Sequence, residues 1–86
     1  MARVEVYTTL VCPYCVRAKR LLQARGIAYE EFDVGDDPDL RDDVIRRSGR
    51  RTVPQIFIDG DPIGGFEELA QLDASGELGR RVAAEA

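Results

Sequence analysis

Histidine is absent from this chain of 86 residues, and cysteine occurs only twice. A structural zinc site needs four nitrogen or sulfur ligands, so two thiols without an imidazole cannot close one within a single chain. Such a site would need ligands shared between two chains or an exogenous thiol, and no metal is expected. Basic residues are also in the minority: 12 Lys and Arg face 16 Asp and Glu, a formal charge of −4. Non-specific nucleic-acid binding draws on a basic surface that neutralises phosphates, so this composition argues against a nucleic-acid partner. Long apolar runs are missing as well. Nothing approaches the roughly 20 residues of a membrane span, and charges at Arg3 and Glu5 interrupt the start where a secretory signal needs an apolar stretch. No repeat, low-complexity tract or linker divides the chain. The expectation is one small cytoplasmic domain over residues 1–86, with no membrane partner.

What the chain does have is a pair of thiols three residues apart, in Leu10-Val11-Cys12-Pro13-Tyr14-Cys15-Val16-Arg17. A reducing compartment disfavours a permanent disulfide. Loop entropy points the same way, since closing four residues contributes only about 2 kcal/mol against about 3 for fifteen. Cys12–Cys15 is therefore a weak staple, and its spacing calls for another explanation.

Periodicity organises the surroundings. Arg3 to Thr8 alternates apolar and polar side chains and predicts a strand that ends just before the thiols. From Pro13 to Arg25, Cys15, Ala18, Leu21, Leu22 and the stem of Arg25 recur at helical spacing, with Pro13 at the first helical position and Gly26 as the stop. Ile27 to Val34 predicts a second strand. Asp37-Pro38 opens a helix to about Ser48, with Leu40, Val44 and Ile45 inward and Gly49 beyond its end. Its Asp residues lie toward the N-terminus and Arg46 and Arg47 toward the C-terminus, which complements the helix dipole. Gln55 to Ile58, Asp59-Gly60 and Asp61 to Ile63 predict a hairpin with a type I′ turn, and Pro62 places its second strand at a sheet edge. Gly64-Gly65 breaks the chain, Phe66 to about Ala74 predicts a third helix, and Leu78 to Ala84 a short terminal one. The order β-α-β-α-β-β-α is an α/β pattern, with one sheet flanked by helices and a parallel, right-handed first crossover.

A thiol at a helix N-terminus faces unpaired N–H groups and the positive end of the dipole, which favour the thiolate and lower its pKa from about 8.5. Cys12 holds that place, and Pro13 holds Cys12 extended ahead of the helix. Cys15 falls inside the first turn, sheltered but within reach. One sulfur that attacks and a second that displaces the product are what thiol–disulfide exchange requires. Between Cys12 and Tyr29 the charged residues are Arg17, Lys19, Arg20 and Arg25, a basic helix in an acidic protein. Arg17 lies near enough to affect the thiols, whereas Arg25 reads as solvated surface.

Three separated motifs, Cys12-Pro13-Tyr14-Cys15, Thr52-Val53-Pro54 and Gly64-Gly65-Phe66-Glu67-Glu68, together resemble the dithiol glutaredoxins, on the thioredoxin fold, from Val4 to about Gly76. The resemblance implies a four-stranded mixed sheet of order 2-1-3-4 flanked by three to four helices, with a cis peptide before Pro54. It implies Cys12 as nucleophile and Cys15 as resolving thiol, with glutathione as reducing co-substrate and glutathione reductase recycling it. Protein disulfides or glutathionylated proteins would be the substrates, and the protein a monomer. The implied glutathione groove pairs the Val53 backbone, beside Thr52, with the cysteinyl backbone of the tripeptide. Phe66 and Glu67 N–H groups, after Gly65, meet the γ-glutamyl carboxylate. Glu68 takes the ammonium, and Arg51 with Tyr14 lines the glycine end.

The chain departs from the family pattern in two places. Thr9 stands where many glutaredoxins carry a lysine, leaving Arg51 or Arg17 to supply positive charge. Phe66 stands where a third cysteine is frequent, and glutamates replace the usual aspartates. Two rival readings follow: a glutaredoxin-like redoxin driven by thioredoxin reductase, and an iron–sulfur carrier in which two chains and two glutathiones hold a cluster. Pro13 disfavours the second, because cluster-binding relatives commonly have a smaller residue there. A binding module without catalysis would require unreactive thiols.

Overall fold

The computed structural model describes residues 2–83 and shows four strands and four helices. Strand β1 (Val4–Thr8) is the register line of the sheet: it pairs in parallel with β2 (Glu30–Asp33) and antiparallel with β3 (Gln55–Ile58). Strand β4 (Asp61–Gly64) pairs antiparallel with β3 and closes the order β2-β1-β3-β4, as the family resemblance implied.

Both central strands bury both faces, and their side chains divide by parity. Val4, Val6, Ile56 and Ile58 enter one core with Ala18 and Leu22 of α1 (Pro13–Ala24), Leu69 of α3 (Phe66–Ser75), and Leu78 and Val82 of α4 (Glu77–Ala83). Tyr7 and Phe57 enter a second core with Val34 and with Val44 of α2 (Pro38–Ser48). Leu40 and Val53 pack against that cluster, while Ile45 is half-buried outside it. The sheet is thus covered on both faces, which suits its parallel pair.

Local signals set the element ends. Asp37 Oδ1 accepts the Leu40 N–H at 3.1 Å, capping α2 ahead of Pro38, and Gly49 closes the helix in the left-handed region. In the hairpin, Asp59 and Gly60 both take positive φ, 50° and 83°, as a type I′ turn requires. Pro62 lies on edge strand β4, and that strand runs on through Gly64, one residue beyond the expected end.

The second strand is shorter than its pattern predicts, beginning at Glu30 and not at Ile27. The Ile27 N–H is spent on the Leu22 carbonyl at 2.9 Å, closing α1, and the side chain is buried there without strand pairing. Pairing starts only where Glu30 comes opposite Glu5. The terminal helix begins at Glu77, one residue early, and the Ala84 expected at its end lies outside the described residues.

Arg47 does more than complement a dipole. Its guanidinium lies 4.6 Å from the Phe57 ring centroid and 5.4 Å from that of Tyr7, and it donates to the Tyr7 hydroxyl at 3.1 Å and to Asp43 at 2.8 Å. It closes the aromatic cluster in which Tyr7 stacks on Phe32 and meets Phe57 edge-on. Arg46 pairs with Asp43, makes no ring contact among the described residues, and is more exposed. Replacing Arg47 by Ala should lower the unfolding free energy by about 1 kcal/mol through lost cation–π and hydrogen-bond contacts. Arg46→Ala should change it far less, and equal urea midpoints for the two variants would rule out a structural part for the ring contact.

Candidate active site

Strand β1 ends at Thr8, and Thr9 to Val11 carry the chain past the end of this central strand to Cys12, the N-cap of α1. Cys12 is extended (φ −148°, ψ 97°), and its Sγ accepts the Cys15 N–H at 3.1 Å. Pro13 occupies the first helical turn, where its missing N–H costs nothing. Cys12 is half-buried, while Cys15 is 2% exposed beneath it. The two sulfurs are joined as a disulfide, with Cα atoms 5.2 Å apart. The unequal access expected from the helix geometry is therefore present.

The Thr52-Val53-Pro54 loop faces this pair. Its Val53–Pro54 peptide is cis, and the Val53 carbonyl oxygen lies 3.7 Å from Cys12 Sγ. A cavity of about 340 Å³ opens beside them, walled by Tyr14, the Thr52–Pro54 loop and the start of α3 from Gly65 to Glu68. Tyr14 stands 6.2 Å, ring centroid to centroid, from Phe66, so the two aromatics frame the cavity. A larger cavity, about 390 Å³ among Arg25, Asp73, Leu78 and Val82, shares no residue with the sulfur site. There Arg25, read from sequence as solvated surface, makes a bidentate pair with Asp73 of α3 at 2.8 and 2.9 Å.

The expected groove residues thus converge, with one exception. Arg51 is exposed and off the cavity wall, with its carbonyl accepting a bond from Arg41 at 3.3 Å, and Arg50 lines the wall instead. Arg50 donates to Glu68 Oε1 at 2.8 Å, and the same oxygen accepts the Gly65 N–H at 2.7 Å as a cap on α3. The Arg50 guanidinium, then the Gly65 N–H, holds the Glu68 carboxyl below its ordinary value of 4.5. Gly64 takes φ +116°, and a Cβ there would come within 2.7 Å of that oxygen, so glycine is required. The Phe66 and Glu67 N–H groups lie in the first turn, where no intrahelical acceptor exists for them.

Sequence reasoning also missed Gln55. Buried at 1% exposure, it donates through Nε2 to the Thr52 carbonyl at 2.8 Å and the Thr52 hydroxyl at 3.3 Å. It braces the loop from below. A Gln directly after Pro54 in a strand pattern was the available signal. Thr9, in the place of the familial lysine, is half-buried beside Gly35 and brings no charge to the sulfurs.

This geometry can be set against known proteins. A family profile described as Glutaredoxin matches residues 4–63. Glutaredoxin 3 of Escherichia coli (strain K12) is 51% identical over 78 residues, covering 91% of this chain and 94% of that protein. The chain belongs to the glutaredoxin family. The solution structure of glutaredoxin from Brucella melitensis aligns with a TM-score of 0.85 at 43% identity, over 95% of this chain and 89% of that one. The crystal structure of the buckwheat glutaredoxin–glutathione complex aligns with a TM-score of 0.88 at 27% identity, over 96% and 78%. This glutaredoxin is a glutathione-dependent thiol–disulfide oxidoreductase of the dithiol type, and the thioredoxin fold expected from its motifs is the fold observed.

Glu68 gives the site a pH signature. Because folding lowers its pKa, its stabilising contribution is complete above the ordinary value of 4.5 and is lost as pH falls through the lower folded value. Glu68→Gln keeps an oxygen for the Gly65 N–H but loses the charge that Arg50 meets. The variant should show a shallower decline of urea stability between about pH 5 and 3, and identical slopes would mean that the pair is not formed in solution.

Proposed function

We propose that Cys12 is the nucleophile and Cys15 the resolving thiol of a glutathione-dependent cycle acting on protein disulfides and glutathionylated proteins. The observation that carries this reading is the placement of Cys12 Sγ: at the helix N-terminus, 3.7 Å from the Val53 carbonyl on the lip of the groove, with Cys15 buried below. Attack by the Cys12 thiolate on the glutathione sulfur of a mixed disulfide breaks that S–S bond, and the protein sulfur leaves as a thiolate. A second glutathione attacks the Cys12–glutathione bond, releases oxidised glutathione and restores Cys12. With a protein disulfide, Cys12 attacks one sulfur and Cys15 then displaces the reduced client. The product is the Cys12–Cys15 disulfide seen in the structure, which two glutathiones reduce.

In the proposed groove, glutathione pairs its cysteinyl backbone with Val53 beside Thr52 and Pro54, with Tyr14 and Phe66 on either side. The γ-glutamyl carboxylate meets the Phe66 and Glu67 N–H groups after Gly65. Glu68 takes the ammonium, and Arg50, on the cavity wall beside Glu68, supplies positive charge at this same end, whereas Arg51, expected at the glycine end, lies off the wall. The Arg50–Glu68 pair thus presents both charges to the zwitterionic end of the tripeptide. The protein would act as a monomer in the reducing cytoplasm, where a cycling disulfide is returned to thiols. Among the described residues no helix is long and apolar enough to cross a membrane.

An NADPH-coupled assay tests the reductant. Turnover is expected with glutathione and glutathione reductase, and little with thioredoxin reductase; the reverse would replace glutathione as electron donor. The thiols separate in the same assay. Cys15→Ser should retain removal of glutathione from a mixed disulfide, while Cys12→Ser should fall to background, and turnover by the Cys12 variant would reverse the assignment.

A further inference from the structure

Among the described residues, the large hydrophobic side chains that stand exposed are Leu10, Val11, Tyr14 and Val16, at 85, 92, 53 and 42%. Single exposed apolar residues are ordinary when scattered over a surface. These are not scattered, because every one lies within four positions of Cys12. Tyr14 is spoken for by the groove, but Leu10 and Val11 are off its wall, so a tripeptide in the groove leaves them uncovered. They sit on the loop that delivers the chain from β1 to the sulfur.

We propose that Leu10 and Val11 form a docking ridge for the protein half of a glutathionylated protein, selecting clients whose modified cysteine is flanked by apolar side chains and a carboxylate. This rests on the glutathione-dependent reading above. The ridge is continuous with the one contact the reaction cannot avoid, the approach of a client sulfur to Cys12. While the groove holds glutathione, the departing protein chain must lie on the remaining surface around the sulfur, where the apolar side chains are. Charge names the other half of the partner's chemistry. Arg17 lies 5.2 Å from the Tyr14 ring centroid and, like Arg20, has no carboxylate partner among the described residues, whereas Lys19 and Arg25 are paired. An acidic residue beside the client cysteine would meet that open positive charge.

A second copy of the chain is the weaker occupant. A two-fold contact through this patch sets like surface against like. It would set Arg17, beside Tyr14, against like charge and cover the sulfur that must react.

In the step served, the Cys12 thiolate bonds to the glutathione sulfur, the bond between glutathione and client breaks, and the client cysteine leaves as a thiolate that takes a proton from water. No further oxidant or reductant enters.

The test uses two synthetic peptides, each glutathionylated on a single cysteine. In one the cysteine is flanked by Leu, Phe and Glu, and in the other by Ser, Gly and Gln. The wild-type protein should turn over the first with a kcat/KM at least about tenfold higher, equivalent to about 1.4 kcal/mol. In the Leu10→Ser/Val11→Ser double variant the ratio should fall to within about threefold, the remainder belonging to charge, and added salt should reduce it further. Wild-type turnover of both peptides at one efficiency overturns the ridge and leaves the glutathione reading standing. Turnover of neither removes both. Sedimentation of the wild type as a dimer that dissociates in the double variant would give the patch to a second copy and overturn the proposal.

Discussion

The bond from the Cys15 N–H to Cys12 Sγ, 3.1 Å long, is the contact on which the site depends. The first turn of a helix has amides with no partner within the helix, and a side-chain acceptor at the N-cap commonly serves one of them. Here the acceptor is sulfur, a weak one while neutral or disulfide-bonded. Reduction with loss of the proton changes its character, because a thiolate makes the charge-assisted kind of hydrogen bond. The helix then stabilises the anion and the anion completes the helix. Pro13 supports both sides of this exchange, since it removes one amide from competition and holds Cys12 extended.

The sheet decides what that sulfur faces. Strands β1 and β3 are buried on both sides, so a slip of one residue would turn Val6 and Ile56 out of one core and Tyr7 and Phe57 out of the other. With the Tyr7–Gln55 pairing thus held, the Thr52–Pro54 loop has no freedom along the strand axis. Gln55 fixes the rest: its carboxamide, buried in β3, ties the loop backbone at Thr52. The 3.7 Å between Val53 and Cys12 is therefore set by side chains in two cores and one buried amide.

Features determined within a few residues were legible in the sequence, and those determined across the chain were not. Pro13, Asp37-Pro38 and Asp59-Gly60 each carry their own conformational preference, and the elements they mark began within a residue of expectation. Val4 and Val6 showed their parity, and both enter one core. The early part of the second strand misled because Ile27 is as apolar as a strand residue, yet serves as the hydrophobic stop after α1. Arg50 and Arg51 are adjacent cations after one helix, and nothing local says which will turn toward the groove. That choice is made by Glu68, 18 positions away, just as Asp73 captures Arg25 across 48 positions. Exposure of Leu10 and Val11 was equally hidden, since nothing local in two aliphatics that follow a strand says which way they face.

In the binding mode proposed above, the Glu68 carboxylate would serve a helix and a ligand together. A carboxylate has about four lone-pair sites, so the Gly65 N–H and an incoming ammonium need not exclude each other. Arg50 and the ammonium, however, compete for the same charge. An exposed ion pair such as Arg50–Glu68 contributes only about 0–1 kcal/mol, whereas a hydrogen bond to a charged group held in a partly enclosed groove contributes about 1.5–3 kcal/mol. In the proposed binding mode the ligand's ammonium would therefore displace Arg50 from Glu68 once the ligand covers the groove. The guanidinium, on the groove wall, would then be free for the ligand's carboxylate, and two pairs across the interface would replace the ion pair of the free protein. Gly64 makes this possible by leaving out the Cβ that would stand 2.7 Å from the carboxylate oxygen.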